Sequence, residues 1–225
     1  SPYIYGYPGN AFKPNKSITR NEVALMLARN LGYVDGKTTT PTAPFKDVPV
    51  DSQGAAAIAL LKELGIVDGY NGNFRGKDPI TRAEMSKMLA DYMKLDIKDT
   101  LATFKDTANL WSTHYIEAIR EAGIITGYND GTFKPQNYLT RAEAVTMLNR
   151  VFDRGSLHGD IKLEFKDVTK NHWAYHEILE AAMPAQLAFQ SSFFEDVLSK
   201  EEEKTLYKLM TRVHKYSQKR ELPPE

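Results

Sequence analysis

Cysteine is absent from all 225 residues. That excludes a disulfide scaffold, cysteine-ligated zinc and thiol catalysis. A surplus of one charge is missing too, since 29 Lys and Arg balance 29 Asp and Glu. The chain therefore has no general field for nucleic acid or an anionic membrane, and charge-based recognition must be local. No apolar run reaches the ~18 residues that cross a bilayer, so no membrane insertion is expected. Nucleophile elbow, Walker loop and dinucleotide fingerprint are all lacking, and no carboxylate pair stands out for acid–base work. The expectation is a protein with no cofactor, no catalysis and no nucleic-acid partner. No signal peptide is visible, and the chain opens in mid-motif at Ser1-Pro2-Tyr3, which reads as a processed or trimmed start.

What is there is repetition, which decides the architecture. Gly6-Tyr7-Pro8-Gly9-Asn10-Ala11-Phe12-Lys13-Pro14 precedes Ile18-Thr19-Arg20-Asn21-Glu22. Gly69-Tyr70-Asn71-Gly72-Asn73-Phe74-Arg75 precedes Ile80-Thr81-Arg82-Ala83-Glu84. Gly127-Tyr128-Asn129-Asp130-Gly131-Thr132-Phe133-Lys134-Pro135 precedes Leu139-Thr140-Arg141-Ala142-Glu143. The arginine lies eight residues after the phenylalanine in all three, and Gly76 stands where the other copies have proline. A second element reads Phe45-Lys46-Asp47-Val48, Phe104-Lys105-Asp106-Thr107 and Phe165-Lys166-Asp167-Val168. Trp111 and Trp173 follow two of its three copies.

The order along the chain is a second half-unit (1–33), two whole units (45–95 and 104–153), and a first half-unit (165–182). Two halves and two wholes make three, so the expectation is a ring closed between 165–182 and 1–33, with the helix near 172–182 against the helix near 19–31. Thr19-x-x-Glu22, Thr81-x-x-Glu84 and Thr140-x-x-Glu143 are capping boxes. Apolar residues follow at helical spacing: Val23, Leu27 and Leu31; Met85, Met88, Leu89 and Met93; Ile58, Leu61 and Leu64; Ile116, Ile119 and Ala122. Gly65 and Gly123 sit where helices end. The Gly-Tyr stretches read as tight turns, and no run supports a long strand. The predicted class is all-α: short helix pairs around a pseudo-threefold axis. A tail, 183–225, leaves the repeat pattern and carries a capping box at Ser199-Lys200-Glu201-Glu202 with Leu206, Leu209, Met210 and Val213 behind it. It reads as helical, with a short resemblance to the C-terminal helix of winged-helix repressors, and self-association through 184–225 is one use for it.

These motifs resemble the S-layer homology family over about 1–182. The resemblance implies a three-unit spindle, each unit giving one helix to a central three-helix bundle, with ligand grooves between neighbouring units. It implies an anionic, often pyruvylated, secondary cell wall polysaccharide as ligand, and hence an extracellular module anchoring an S-layer or other envelope protein to the cell wall. It also implies that Arg82, Arg141 and Arg20 are the main ligand contacts, Arg20 with Asn21 in place of alanine.

Elementary electrostatics makes those arginines unusual. Each lies in a first helical turn, where a cation opposes the macrodipole. Two readings remain open. An anion docked on exposed helix N–H groups resolves the conflict; so does an internal pair with Asp47, Asp106 or Asp167. Thr19, Glu22, Thr81, Glu84, Thr140 and Glu143 have a sufficient reason as caps. Lys13, Arg75 and Lys134 lie seven residues before each arginine, as ligand contacts or as solvated turn charges. Trp111 and Trp173 read as groove walls, the tyrosines Tyr7, Tyr70 and Tyr128 as core. Gly6, Gly69 and Gly127 serve positive φ or close approach, and leave room for a sugar. His172 and His176 have metal-ligand spacing but no third ligand, so no metal is expected.

Overall fold

The computed structural model describes residues 3–36, 40–154 and 165–182; the tail and the expectations attached to it lie outside them. Six helices occur among the described residues: α1 (Arg20–Asn30), α2 (Ala55–Glu63), α3 (Arg82–Met93), α4 (Thr113–Glu121), α5 (Arg141–Val151) and α6 (Tyr175–Ala182). Extended backbone is limited there to isolated bridges such as Thr81 with Tyr138. The fold is all-α, as the helical periodicity predicts. Two compact units divide the chain, Pro14–Phe152 on one hand and Ser1–Lys13 with Asp153–Glu225 on the other.

Helices α1, α3 and α5 begin alike. Thr19, Thr81 and Thr140 each accept from the backbone N–H three residues on, and the glutamate there reaches back to the threonine N–H. The apolar stripes run inward, with Val23, Leu27, Met85, Leu89, Val145 and Leu148 fully buried. Leu31 and Leu64 are exposed despite fitting the period, because each is the C-cap residue where its helix stops. Gly65 and Gly123 follow their helices with φ of 71° and 76°, the left-handed conformation that frees a helix end. Within Pro14–Phe152, α1 packs on α2 and α3 on α4.

The centre of that unit is a triangle of backbone hydrogen bonds. Ile18 N–H donates to the Leu139 carbonyl (2.9 Å), Leu139 to Ile80 (3.2 Å) and Ile80 to Ile18 (3.0 Å). All three side chains are fully buried. One step along, each helix start leans on the turn of another repeat. Arg20 and Asn21 donate to the carbonyls of Asp78 and Gly76 (3.0 and 2.8 Å). Arg82 and Ala83 donate to Asn137 and Pro135 (2.9 Å each), and Arg141 and Ala142 to Lys16 and Pro14 (2.9 and 3.0 Å). An α-helix leaves its first four N–H groups unpaired. Here the two capping bonds and the two inter-repeat bonds satisfy all four, three times over.

Departures from the repeat pattern meet at one of these contacts. Asn21 replaces alanine, Gly76 replaces proline, and a Cβ built on Gly76 would lie 1.9 Å from the Asn21 Oδ1. The asparagine fills the space of the missing proline ring. Its Oδ1 is buried without a hydrogen-bond partner. Gly76→Pro alone should therefore overpack the contact and cost roughly 1–3 kcal/mol. Adding Asn21→Ala should restore or exceed wild-type stability in urea unfolding, since both the clash and the orphaned oxygen go. A double variant no more stable than Gly76→Pro would show that the two positions are not coupled.

In the other unit, Tyr3 N–H donates to the Ala181 carbonyl at 3.1 Å, tying the start of the described chain to α6. The phenol of Tyr3 is buried beneath the Arg154 guanidinium, 5.1 Å from the ring centre.

Candidate functional site

The Phe-Lys-Asp element and the Gly-Tyr turn form one clasp, made three times. Asp47 accepts from Phe74 N–H and Arg75 N–H, both at 2.7 Å. Asp106 accepts from Phe133 and Lys134 (2.8 Å each), and Asp167 from Phe12 and Lys13 (2.8 and 2.7 Å). The element's phenylalanine lies on the turn glycine. A Cβ would meet the Phe165 ring at 2.3 Å on Gly6, Phe45 at 2.7 Å on Gly69, and Phe104 at 2.2 Å on Gly127. Only Gly127 of the three has positive φ, so close approach is the common reason for glycine.

Lys13, Arg75 and Lys134, by contrast, all sit in the left-handed region, at φ of 55°, 58° and 56°. That conformation is costly for a side chain with a Cβ, and the two N–H bonds to each aspartate stabilise it. Burial works against the Asp47 charge, but the N–H groups of Phe74 and Arg75 outweigh it and hold its pKa below the ordinary range. A carboxylate depressed on folding contributes stability that is present above its unfolded pKa of ~3.9 and lost as pH falls through the folded value. Asp47→Asn should thus flatten the acid limb of stability below about pH 4, read as urea midpoint against pH. An unchanged limb would remove the clasp from the acid response.

The arginines are the main departure from expectation. Arg20, Arg82 and Arg141 are at most 7% exposed. Arg20 donates from Nε to the Phe74 carbonyl (2.9 Å) and from Nη1 to Glu84 (2.6 Å). Arg82 donates to the Phe133 carbonyl (2.7 Å) and lies 3.8 Å from Glu143. Arg141 pairs with Glu22. Each repeat's arginine thus reaches the capping glutamate of another, 20 to 84, 82 to 143 and 141 to 22, and the cycle closes. The partner is glutamate rather than the expected aspartate, because the aspartate oxygens are held by the turn. One glutamate oxygen caps its own helix and the other takes the guanidinium. An anion docked on helix N–H groups finds those groups already bonded. Burial lowers the pKa of Arg20 and of Arg82, and the glutamates offset it in part. Removing Arg82 would strand the buried Phe133 carbonyl and leave Glu143 without its cation. Arg82→Met should cost about 2–3 kcal/mol in urea unfolding. A loss under 0.5 kcal/mol would make the latch marginal.

A groove of about 440 Å³ opens in Pro14–Phe152 beside this latch. Arg20, Arg75 and Glu84 line it with Lys87 and Met88 from α3, Asp68 and Tyr70 from the turn, and Trp111 from the next repeat. Trp111 is 58% exposed and Tyr70 68% exposed, so Tyr70 is not core. Tyr128 is also partly exposed, 4.2 Å from Lys134 Nζ, and Lys13 sits likewise over Tyr7 at 4.6 Å. Trp173 is exposed in the other unit, where His172 accepts the Ala174 N–H at 3.1 Å and His176 packs edge-on against Tyr175. Lys87 and Asp68 are absent from the repeat motifs and become visible only when the groove is assembled.

Three pseudo-equivalent, mutually latched repeats thus carry a groove lined by an exposed tryptophan and by charged side chains of both signs. The S-layer homology domain matches residues 3–24, 44–86 and 103–145. Over 193 residues the chain is 36% identical to cell surface glycoprotein 1 of Acetivibrio thermocellus, covering 80% of this chain and 8% of that protein. Over 195 residues it is 38% identical to a cellulosome-anchoring protein of the same organism, covering 81% of this chain and 42% of that protein. The chain thus spans less than half the length of either. A stretch of 101 residues, 42% of this chain, is 46% identical to an uncharacterized HTH-type transcriptional regulator of Bacillus cereus, 69% of which it covers. The chain belongs to the S-layer homology family.

Proposed function

We propose that the repeats anchor a larger protein to the bacterial cell surface by holding an anionic, pyruvylated secondary cell wall polysaccharide, without catalysing a reaction. The observation that carries this reading is the groove, which is lined by the exposed ring of Trp111 and by the exposed Arg75, itself 3.2 Å from Glu84. A sugar stacks on such a ring while a carboxylate meets the guanidinium edge of Arg75. The likeness to a cell surface glycoprotein and a cellulosome-anchoring protein supports the same location. We take 165–182 with 1–33 as one repeat, so that the ring closes; the Asp167 clasp on Phe12 and Lys13 repeats the Asp47 clasp on Phe74 and Arg75.

The test avoids the buried arginines, whose loss also unfolds the latch. Arg75 has positive φ, so Arg75→Gly removes the cation while relieving the backbone. Arg75→Gly and Trp111→Ala should each weaken sedimentation with native walls by about tenfold, the scale of one charge-assisted contact. Wild-type protein should not sediment with walls stripped of secondary polymer or lacking pyruvylation. Equal binding to stripped walls would discard the reading.

The HTH-type relatives favour a second reading, in which the shared stretch regulates transcription beside the anchoring repeats. The zero net charge supplies no general attraction to nucleic acid. A gel shift with a random-sequence DNA pool at low salt checks it, and no retardation would discard it.

A further inference from the structure

Two groove residues belong to no repeat motif, yet they touch. Lys87 Nζ donates to Asp68 Oδ2 at 2.8 Å, and to Asp91 Oδ2 at 2.6 Å behind it on α3. The Lys87 ammonium also lies 5.4 Å from the centre of the Tyr115 ring. Asp68 is the more open partner, with its side chain 70% exposed. Asp68 immediately precedes Gly69, and the residues in that place are Thr126 before Gly127 and Tyr5 before Gly6. Lys87 is the fifth residue after Arg82, and the fifth residues after Arg141 and Arg20 are Thr146 and Leu25. The two positions change together, as Asp with Lys, Thr with Thr, and Tyr with Leu. The latch takes only the Asp68 carbonyl, from Arg20 Nη2 at 3.3 Å; helix capping, the clasp and the latch use neither side chain, so they do not account for the Asp68–Lys87 ion pair.

Position along the groove says what the pair meets. Glu84, Lys87 and Met88 share one face of α3, and three residues of helix advance ~4.5 Å. Lys87 therefore lies one turn beyond the Arg20–Glu84 latch, where a ring following the charged sugar would lie. A carboxylate beside an ammonium offers an acceptor and a donor a few ångströms apart, which matches two neighbouring hydroxyls or a hydroxyl beside an amide. Burial in the groove disfavours the Lys87 charge, but Asp68 and Asp91 outweigh it and raise the pKa, so the donor stays charged.

We propose that the Asp68–Lys87 pair reads adjacent hydroxyl or amide groups on the neutral sugar next to the anionic one, and so sets which glycan this groove accepts. The proposal rests on the glycan-anchoring reading above. The probes are two methyl glycosides, a pyruvate-ketal monosaccharide and the disaccharide that extends it by one neutral sugar, measured by calorimetry on the full chain. Wild type should bind the disaccharide about tenfold more tightly than the monosaccharide, one charge-assisted contact's worth. Asp68→Thr with Lys87→Thr, which installs the residues of the third repeat, should bring that ratio near one. A disaccharide O-methylated on the neutral ring should lose the gain with wild-type protein, a reading that needs no variant to fold. If wild type binds both probes but the ratio survives substitution or methylation, the pair has no such role while the anchoring reading stands. If wild type binds neither, both fall.

Discussion

A helix that starts with arginine places a cation at its positively polarised end, and the rest of this structure follows from how that conflict is resolved. The guanidinium is sent out of its own repeat, under the ring and carbonyl of a neighbouring turn, to a glutamate that is itself capping a helix. Thr-Arg-x-Glu is therefore one half of a joint as well as a cap. Three such joints, with the backbone triangle of Ile18, Ile80 and Leu139 at the centre, bind the Pro14–Phe152 unit together.

Much of this is legible in the sequence. Capping boxes mark the starts of α1, α3 and α5, and terminal glycines the ends of α2 and α4, because each signal acts within one turn of backbone; α6, expected near 172–182, begins at Tyr175. The arginine's oddity is legible as well, but its resolution is not. In the sequence the capping box is reason enough for the glutamate, and only a carboxylate seen in three dimensions displays one oxygen for the cap and the other for a partner 64 residues away. The tyrosines read as core because they are large. The turn instead leaves Tyr70 exposed at the groove, and places lysine or arginine over the faces of Tyr7 and Tyr128.

The repeats are alike in how they hold together and unlike in what they present. Clasp and cap recur with nearly the same distances and the latch with the same residue types, while the groove positions vary from charged to hydroxylic to apolar. Residues bound by mutual geometry cannot drift singly. Those facing the groove have no such constraint. The Asn21–Gly76 contact is the exception inside the frame, where a larger side chain and a smaller one meet. It marks one junction as different from the other two.

The latch between Arg141 and Glu22 joins residues 119 apart in the chain. Contacts of such separation pay their loop-closure entropy before they return any stability, and they slow folding. As the polypeptide emerges from a ribosome or a translocation pore, the first helix keeps its glutamate without a cation until the third repeat has followed. The unit then acquires its solidity late and all at once. Until that moment the cycle of joints stays open.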